Sequence, residues 1–339
     1  MNITVSFVIS PSHLLPSHPE GPHRFQSIKD QLDSHLTDQI LWLEPESIEP
    51  ATLETVHPEA YIRYIQEQSM NGPGIVDYGD TYVTPSSFQD TLNAVAGTLT
   101  VLDSILAGDV QHGFAIVRPP GHHAGFDKAM GFCLFNNIAI AAKHAQQAGL
   151  RRVAIIDFDV HHGNGTEEIF YTDPDVLYIS SHQWGIFPGT GALTDIGEGQ
   201  GRGKTINIPL PAGVGDKGFE DLYGAIVIPA LRRFSPDIIL VSAGYDAHQA
   251  DPLAGLTVTG HGFYEITRLL ADCSRELAED RLLMVLEGGY NPEALAISIR
   301  NSCLALVNKD LPEQHKIETN LVDPELANLI GKLQEVHSL

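Results

Sequence analysis

Ile155-Ile156-Asp157-Phe158-Asp159-Val160-His161-His162-Gly163-Asn164-Gly165 runs an apolar, β-branched strand straight into a cluster of metal-type ligands and closes on glycines. Residues 153–158 read as a short buried strand, and Gly163, Asn164 and Gly165 supply the turn that must follow. Alternate strand residues face the same way, so Asp157, Asp159 and His161 can point to one side, with neighbours ~7 Å apart. A carboxylate and an imidazole two residues apart can then reach one cation. Two acids at a strand end are costly unless paired or ligated, which favours a ligand role over a bare buried pair.

A chain of 339 residues at 43% hydrophobic content can bury a large core, and α/β folds of this size form one domain. One domain is expected over 1–309, with a weakly helical tail over 310–339 packed on it or trailing from it. Cys133, Cys273 and Cys303 lie far apart without a CxxC pair, which argues against a disulfide framework or a cysteine-rich zinc site and fits a reducing compartment. The opening residues 2–9 carry no basic lead or cleavage-like site, and no run of about 18 apolar residues occurs. A cytoplasmic protein that does not enter a membrane is expected. Forty-three acidic against 20 basic residues give a formal charge of −23, which repels nucleic acid and favours cationic ligands.

Strand-like and helix-like segments alternate along the chain, the pattern of an α/β fold with a largely parallel sheet. The strands are expected near 3–9, 113–117, 153–158, 176–180, 204–210, 237–242 and 282–286. Helices are expected over 25–36, from His57 onward, from Ser86 or Ser87 to Gly108, and over 136–147, 216–234, 259–278 and 292–307. Residues 70–85, rich in glycine and proline, read as a long surface loop.

The strand ends carry the chemistry. Gly121-His122-His123-Ala124-Gly125 follows the strand stopped by Pro119 and Pro120, where open α/β sheets keep their ligands. Asp246 follows the strand over 237–242, and Tyr290 follows the strand over 282–286. Asp159, His161 and Asp246 can therefore supply three protein ligands and leave a fourth position for water, as catalytic zinc requires. A general base is then wanted, and His122 or His123 can supply it.

Six motifs in order make the chain resemble the zinc-dependent histone deacetylase family of the arginase/deacetylase superfamily. They are Arg118-Pro119-Pro120-Gly121-His122-His123-Ala124, Gly131-Phe132-Cys133, the 157–165 stretch, Phe187-Pro188-Gly189-Thr190-Gly191, Ala243-Gly244-Tyr245-Asp246-Ala247 and Glu287-Gly288-Gly289-Tyr290. The resemblance implies a three-layer α/β/α arginase/deacetylase fold with an eight-stranded, mainly parallel sheet, and makes 1–309 a deacetylase catalytic domain. It also implies one Zn²⁺ per chain on Asp159, His161 and Asp246, with Tyr290 polarising the scissile carbonyl. By the same resemblance His123 is the proton-transferring base and acid, His122 its electrostatic partner, and Asp157 the carboxylate that holds His122. Asp157, Asp159, His161, Ser180 and Ser181 resemble a structural monovalent-cation site, usually K⁺. Phe132 and Phe187, with Gly131, match the acyl-lysine tunnel, and Leu253 its apolar gate. Asp80 is similar to a rim carboxylate, and Arg24 to a residue lining a cavity for the acetate product.

Asn164 stands where class I nuclear members carry Asp, and with Glu287 it leans the resemblance to class II and bacterial histone deacetylase-like amidohydrolases. An amide cannot stabilise an imidazolium as a carboxylate does, which puts the usual pKa split of the two histidines in question. The missing acid at Asn164 also argues for one metal rather than the two of the arginase branch. The resemblance implies a zinc-dependent amidohydrolase acting on acyl-lysine of proteins or peptides. A hydrolase of acetylpolyamines or other small N-acyl amines is the alternative, and a catalytically silent acyl-lysine binding module is the alternative outside enzymes.

Overall fold

The computed structural model describes residues 2–311 and 324–339. Strands β1 (Ile3–Val8) and β2 (Ile40–Leu43), the short pair β3 (Gly74–Ile75) and β4 (Tyr82–Val83), then β5 (His112–Val117), β6 (Val153–Asp157), β7 (Val176–Gln183), β8 (Thr205–Leu210), β9 (Ile238–Ala243) and β10 (Leu282–Leu286) appear in chain order. Eight of them form one sheet in the order β2-β1-β5-β10-β9-β6-β7-β8, and every pairing in it is parallel. Parallel strands need crossovers, and the helices between them supply these.

Helices cover both faces: α1 (Ile28–Leu36), α2 (Glu59–Met70), α3 (Ser87–Leu106), α4 (Asn137–Gln147), α5 (Asn164–Phe170), α6 (Asp216–Leu222), α7 (Ile228–Phe234), α8 (Gly260–Leu277), α9 (Pro292–Leu306) and α10 (Pro324–His337). The strand pleat explains why both faces are apolar. Ala154 and Ile156 enter one core, with Leu32 of α1, Phe263 of α8 and Ile299 of α9. Val153 and Ile155 enter the other, with Val95 of α3 and Ile138 of α4. A sheet buried on both sides therefore reads as the continuous apolar runs seen in the sequence. This is the three-layer α/β/α arginase/deacetylase architecture.

Three local expectations change. Residues 70–85 are not wholly a surface loop, because β3 and β4 pair antiparallel and Tyr82 and Val83 are buried. The helix expected over 216–234 is interrupted by a π-turn, Tyr223–Val227. Pro229 follows that turn, lacks an N–H, and would press its ring on the carbonyl four residues back, so the ladder widens there. Ser86 sits at the start of α3 without capping it through its side chain. Of the expected tail, α10 buries Leu326 and Leu333 in the first core, while residues 312–323 lie outside the described residues. Among the described residues no helix is long and apolar enough to cross a membrane.

Candidate metal and catalytic site

Four adjacent strands, β5, β10, β9 and β6, end on one edge of the sheet, and each hands over to a loop carrying part of the site. Arg118 to His123 follow β5, Glu287 to Tyr290 follow β10, Gly244 to Asp246 follow β9, and Phe158 to His161 follow β6.

The ligating atoms of Asp159, His161 and Asp246 all lie within 4.8 Å of one another. His161 Nδ1 stands 3.2 Å from Asp159 Oδ1 and 3.1 Å from Asp246 Oδ2. Backbone donors aim the carboxylates: Gly288 N–H reaches Asp159 Oδ2 at 2.8 Å, and Val160 N–H reaches Asp246 Oδ1 at 2.9 Å. Gly288 must be glycine, since a Cβ there would sit 2.2 Å from Asp246 Oδ2. Burial and the neighbouring Asp159 charge push the Asp246 carboxyl up. Burial would lower the His161 imidazole, but its bonds to Asp159 and Asp246 raise it to about 10. Two buried carboxylates thus demand positive charge between them, and this donor set with one imidazole fits a divalent ion of the zinc type.

His122 and His123 lie with ring centroids 4.0 Å apart and planes tilted by 46°, and are pushed in opposite directions. His122 Nδ1 is 3.0 Å from Asp157 Oδ2, whose carboxylate also accepts from the Tyr178 hydroxyl at 3.1 Å. Burial opposes its charge, yet Asp157, Asp159 and Glu287 raise it to about 10. His123 is held well below the ordinary imidazole value by burial and by the charges of His122 and His161. Its Nδ1 faces Asn164 Oδ1 at 2.8 Å, so the N–H donates there and Nε2 keeps its lone pair. Even beside Asn164 the two histidines are pushed apart: the Asn164 hydrogen bond raises His123, but burial and the neighbouring imidazole charges outweigh it, and the amide adds none of the charge a carboxylate would.

Tyr290 is mostly buried, with its ring 6.0 Å from that of Phe132 and 4.9 Å from Arg24 Cζ. Burial raises its phenol well above the usual value, so it stays protonated at neutral pH. Arg24 is itself buried: Nε donates to Gly289 O at 2.6 Å, Nη2 to Glu287 O at 2.7 Å and Nη1 to Glu20 Oε1 at 3.1 Å. It braces the Tyr290 loop from beneath.

Phe187 is exposed and packs edge-on to His123 at 5.0 Å and His161 at 6.1 Å. Gly131 passes between them with φ +54°, and a Cβ there would meet His123 Cδ2 at 2.4 Å and Phe187 Cε1 at 2.9 Å. Phe132 N–H donates to Thr81 Oγ1 at 3.0 Å, which ties Phe132 to the loop bearing exposed Asp80. Leu253 is exposed. Ser180 pairs with Asp157 across β6 and β7, and Ser181 Oγ donates to Asp157 O at 3.4 Å.

Several supporting residues escaped sequence reasoning. Asp251 accepts Tyr290 N–H on Oδ2 at 2.7 Å and Leu253 N–H on Oδ1 at 3.0 Å. Glu20 joins Arg24 and Arg118 in a buried ion cluster. His162 Nδ1 meets Thr190 Oγ1 at 2.8 Å and His182 donates to Gly191 O at 3.0 Å, anchoring the segment after Phe187. Polar residues set among apolar neighbours were the available signal, but their partners lie far off in sequence.

The histone deacetylase domain model matches residues 18–306. Among similar proteins, Histone deacetylase 14, chloroplastic, of Arabidopsis thaliana is 41% identical, covering 96% of this chain and 82% of the relative. The Histone deacetylase-like amidohydrolase of Pseudomonas aeruginosa is 40% identical, covering 81% of this chain and 73% of the relative. A crystal structure of the HDA15 HD domain superposes with a TM-score of 0.91 at 34% identity, over 99% of this chain and 96% of that one. The sequence, the layered sheet and the loops at its edge agree: this chain belongs to the histone deacetylase family.

Proposed function

We propose that this chain hydrolyses Nε-acyl-lysine amides of peptides or proteins, most simply acetyl-lysine, with one zinc on Asp159, His161 and Asp246. The observation that carries the reading is the convergence of three metal donors, an oppositely shifted histidine pair and a protonated tyrosine on one sheet edge. Zinc, when bound, would supply a Lewis acid that polarises the amide carbonyl and acidifies water.

His123, neutral and with Nε2 free, takes a proton from the attacking water and returns it to the departing lysine amine. His122, kept cationic by Asp157, supplies positive charge beside the reaction without exchanging protons. The Tyr290 hydroxyl donates to the carbonyl oxygen as it becomes an oxyanion, an interaction typically worth ~3 kcal/mol. Phe132 and Phe187 flank the lysine methylenes, Leu253 gates the entrance, and Asp80 at the rim receives substrate backbone donors. Product acetate leaves past Arg24. The expected K⁺ belongs with the carbonyls of Asp157, Asp159 and His161 and with Ser180 and Ser181; the Ser181 contact to Asp157 O supports that grouping. Three free, buried cysteines support a reducing compartment such as the cytoplasm.

The test is turnover of a fluorogenic acetyl-lysine peptide before and after chelation, with zinc returned afterwards. Turnover should vanish and recover. Activity indifferent to chelation would overturn the zinc assignment, and absence of turnover with zinc bound would overturn the enzyme.

A further inference from the structure

A cavity of about 340 Å³ lies near the sheet edge opposite the candidate metal site. Arg202 and Lys204 line it from the turn before β8, Arg233 from the end of α7, and His337 from the end of α10. The location matters because cations are scarce in this chain, 20 against 43 acids. Most of the others pair with carboxylates, as Arg151 does with Asp175 at 2.9 Å and Arg232 with Glu276 at 2.9 Å. Among the described residues none of Arg202, Lys204 and Arg233 has an ion-pair partner.

Their positions are set by other contacts. Arg233 Nη1 donates to the carbonyls of His337 and Ser338, joining α7 to α10. Lys204 Nζ lies 5.0 Å from the Phe234 ring centroid. His337 is 6% exposed, and its buried Nε2 has no hydrogen-bond partner. Like charges gathered without a counter-ion repel one another, so the arrangement suits a bound anion. Three cations exceed what one carboxylate neutralises, whereas phosphate brings close to two charges and several acceptor oxygens. Of the remaining lining, Gly203 and Ser338 lie with the cations and His337, and Leu177, Ala230, Phe234 and Val336 add apolar wall.

We propose that this cavity binds a phosphate-bearing small organic molecule, with the phosphate on Arg202, Lys204 and Arg233 and the organic group on the Phe234 side. β7 runs eight residues from the cavity side toward the catalytic edge, ~25 Å at the usual rise, so the ligand does not touch the metal site. Its effect falls on the seating of α10, which forms one wall.

Calorimetry and thermal denaturation of the full chain with phenyl phosphate, inorganic phosphate and chloride at matched ionic strength test this. Phenyl phosphate should bind saturably at one site and raise Tm by several degrees, inorganic phosphate should bind at least several-fold more weakly, and chloride should do nothing. The R202Q/K204Q variant should bind phenyl phosphate at least tenfold more weakly while its ligand-free Tm stays equal or rises, because charge repulsion is relieved. Undiminished binding in that variant would put the anion elsewhere, such as the metal centre, and overturn the site. Absence of saturable binding would overturn it as well, and equal binding of the two phosphates would remove the organic ligand.

Discussion

His123 Nδ1 meets the amide oxygen of Asn164 at 2.8 Å, while its neighbour His122 meets the carboxylate of Asp157 at 3.0 Å. Burial and the charge of His122 push the first imidazole down, while the acids Asp157, Asp159 and Glu287 outweigh burial and push the second up. Asn164→Asp would add a negative charge beside His123 and favour its imidazolium. The base works when neutral, so a raised pKa lowers the competent fraction at a given pH. The acid limb of the kcat/KM profile should move to higher pH in the variant, and an unmoved limb would detach His123 from the base role.

Metal analysis addresses the donor set. The purified chain should hold about one zinc, and Asp159→Ala or Asp246→Ala should lose both metal and activity, since three ligands are the minimum for a held catalytic zinc. Full activity with two equivalents of manganese would instead point to the arginase branch.

Tyr290→Phe should keep zinc and fold, because the Tyr290 anchor to Asp251 is through its backbone N–H. Removing the hydroxyl should lower kcat by ~10² to 10³ with KM little changed. An unchanged kcat would mean the oxyanion is held by other groups.

As the proposed gate residue, Leu253 should bear on substrate choice. An ammonium desolvated against an apolar wall without a partner costs several kcal/mol, so a peptide-borne acetyl-lysine should outperform N-acetylspermidine in the wild type. Leu253→Glu should shift the kcat/KM ratio toward the polyamine. A wild-type preference for N-acetylspermidine would favour the small-amine reading.

Stability should fall in mild acid through His57. Its Nδ1 donates to Phe126 O at 3.0 Å, and its Nε2 accepts Asn136 N–H at 2.9 Å, a pattern open only to the neutral ring. Burial lowers its pKa from 6.5 to about 4. A depressed histidine contributes fully above 6.5, progressively less as pH falls, and nothing more is lost below about 4. The gap is worth ~3 kcal/mol. Urea unfolding at stepped pH should show this slope, and His57→Gln should be shallower between 6.5 and 4; identical slopes would clear His57 of the effect.

Much of this architecture is legible in sequence because a doubly covered parallel sheet writes itself as uninterrupted apolar runs, and its functional loops must follow strand ends. Asp159, His161, Asp246, His122, His123 and Tyr290 could be gathered once the strands were known to be parallel. The order that brings β9 and β10 between β5 and β6 was not readable from composition or spacing. The same holds for Asp251 and Glu20, whose meaning lies in partners about 40 to 100 residues away. The break before α7 shows a different limit: apolar spacing continued through 216–234, but one proline changed the hydrogen-bond ladder without disturbing the pattern of buried residues.

On the proposed reading, the strap formed by Asp251 separates what can vary at the tunnel mouth from what cannot. It grips Leu253 by its main chain, so the side chain there is open to exchange while the loop's length and path are fixed by the same carboxylate that seats Tyr290. With Leu253 as the proposed gate, substrate preference should drift by point substitution at position 253 at little cost in rate. Insertions or deletions between 251 and 253 would move the tyrosine as well, so a lineage that diversifies by changing loop length here loses chemistry before it gains a new substrate.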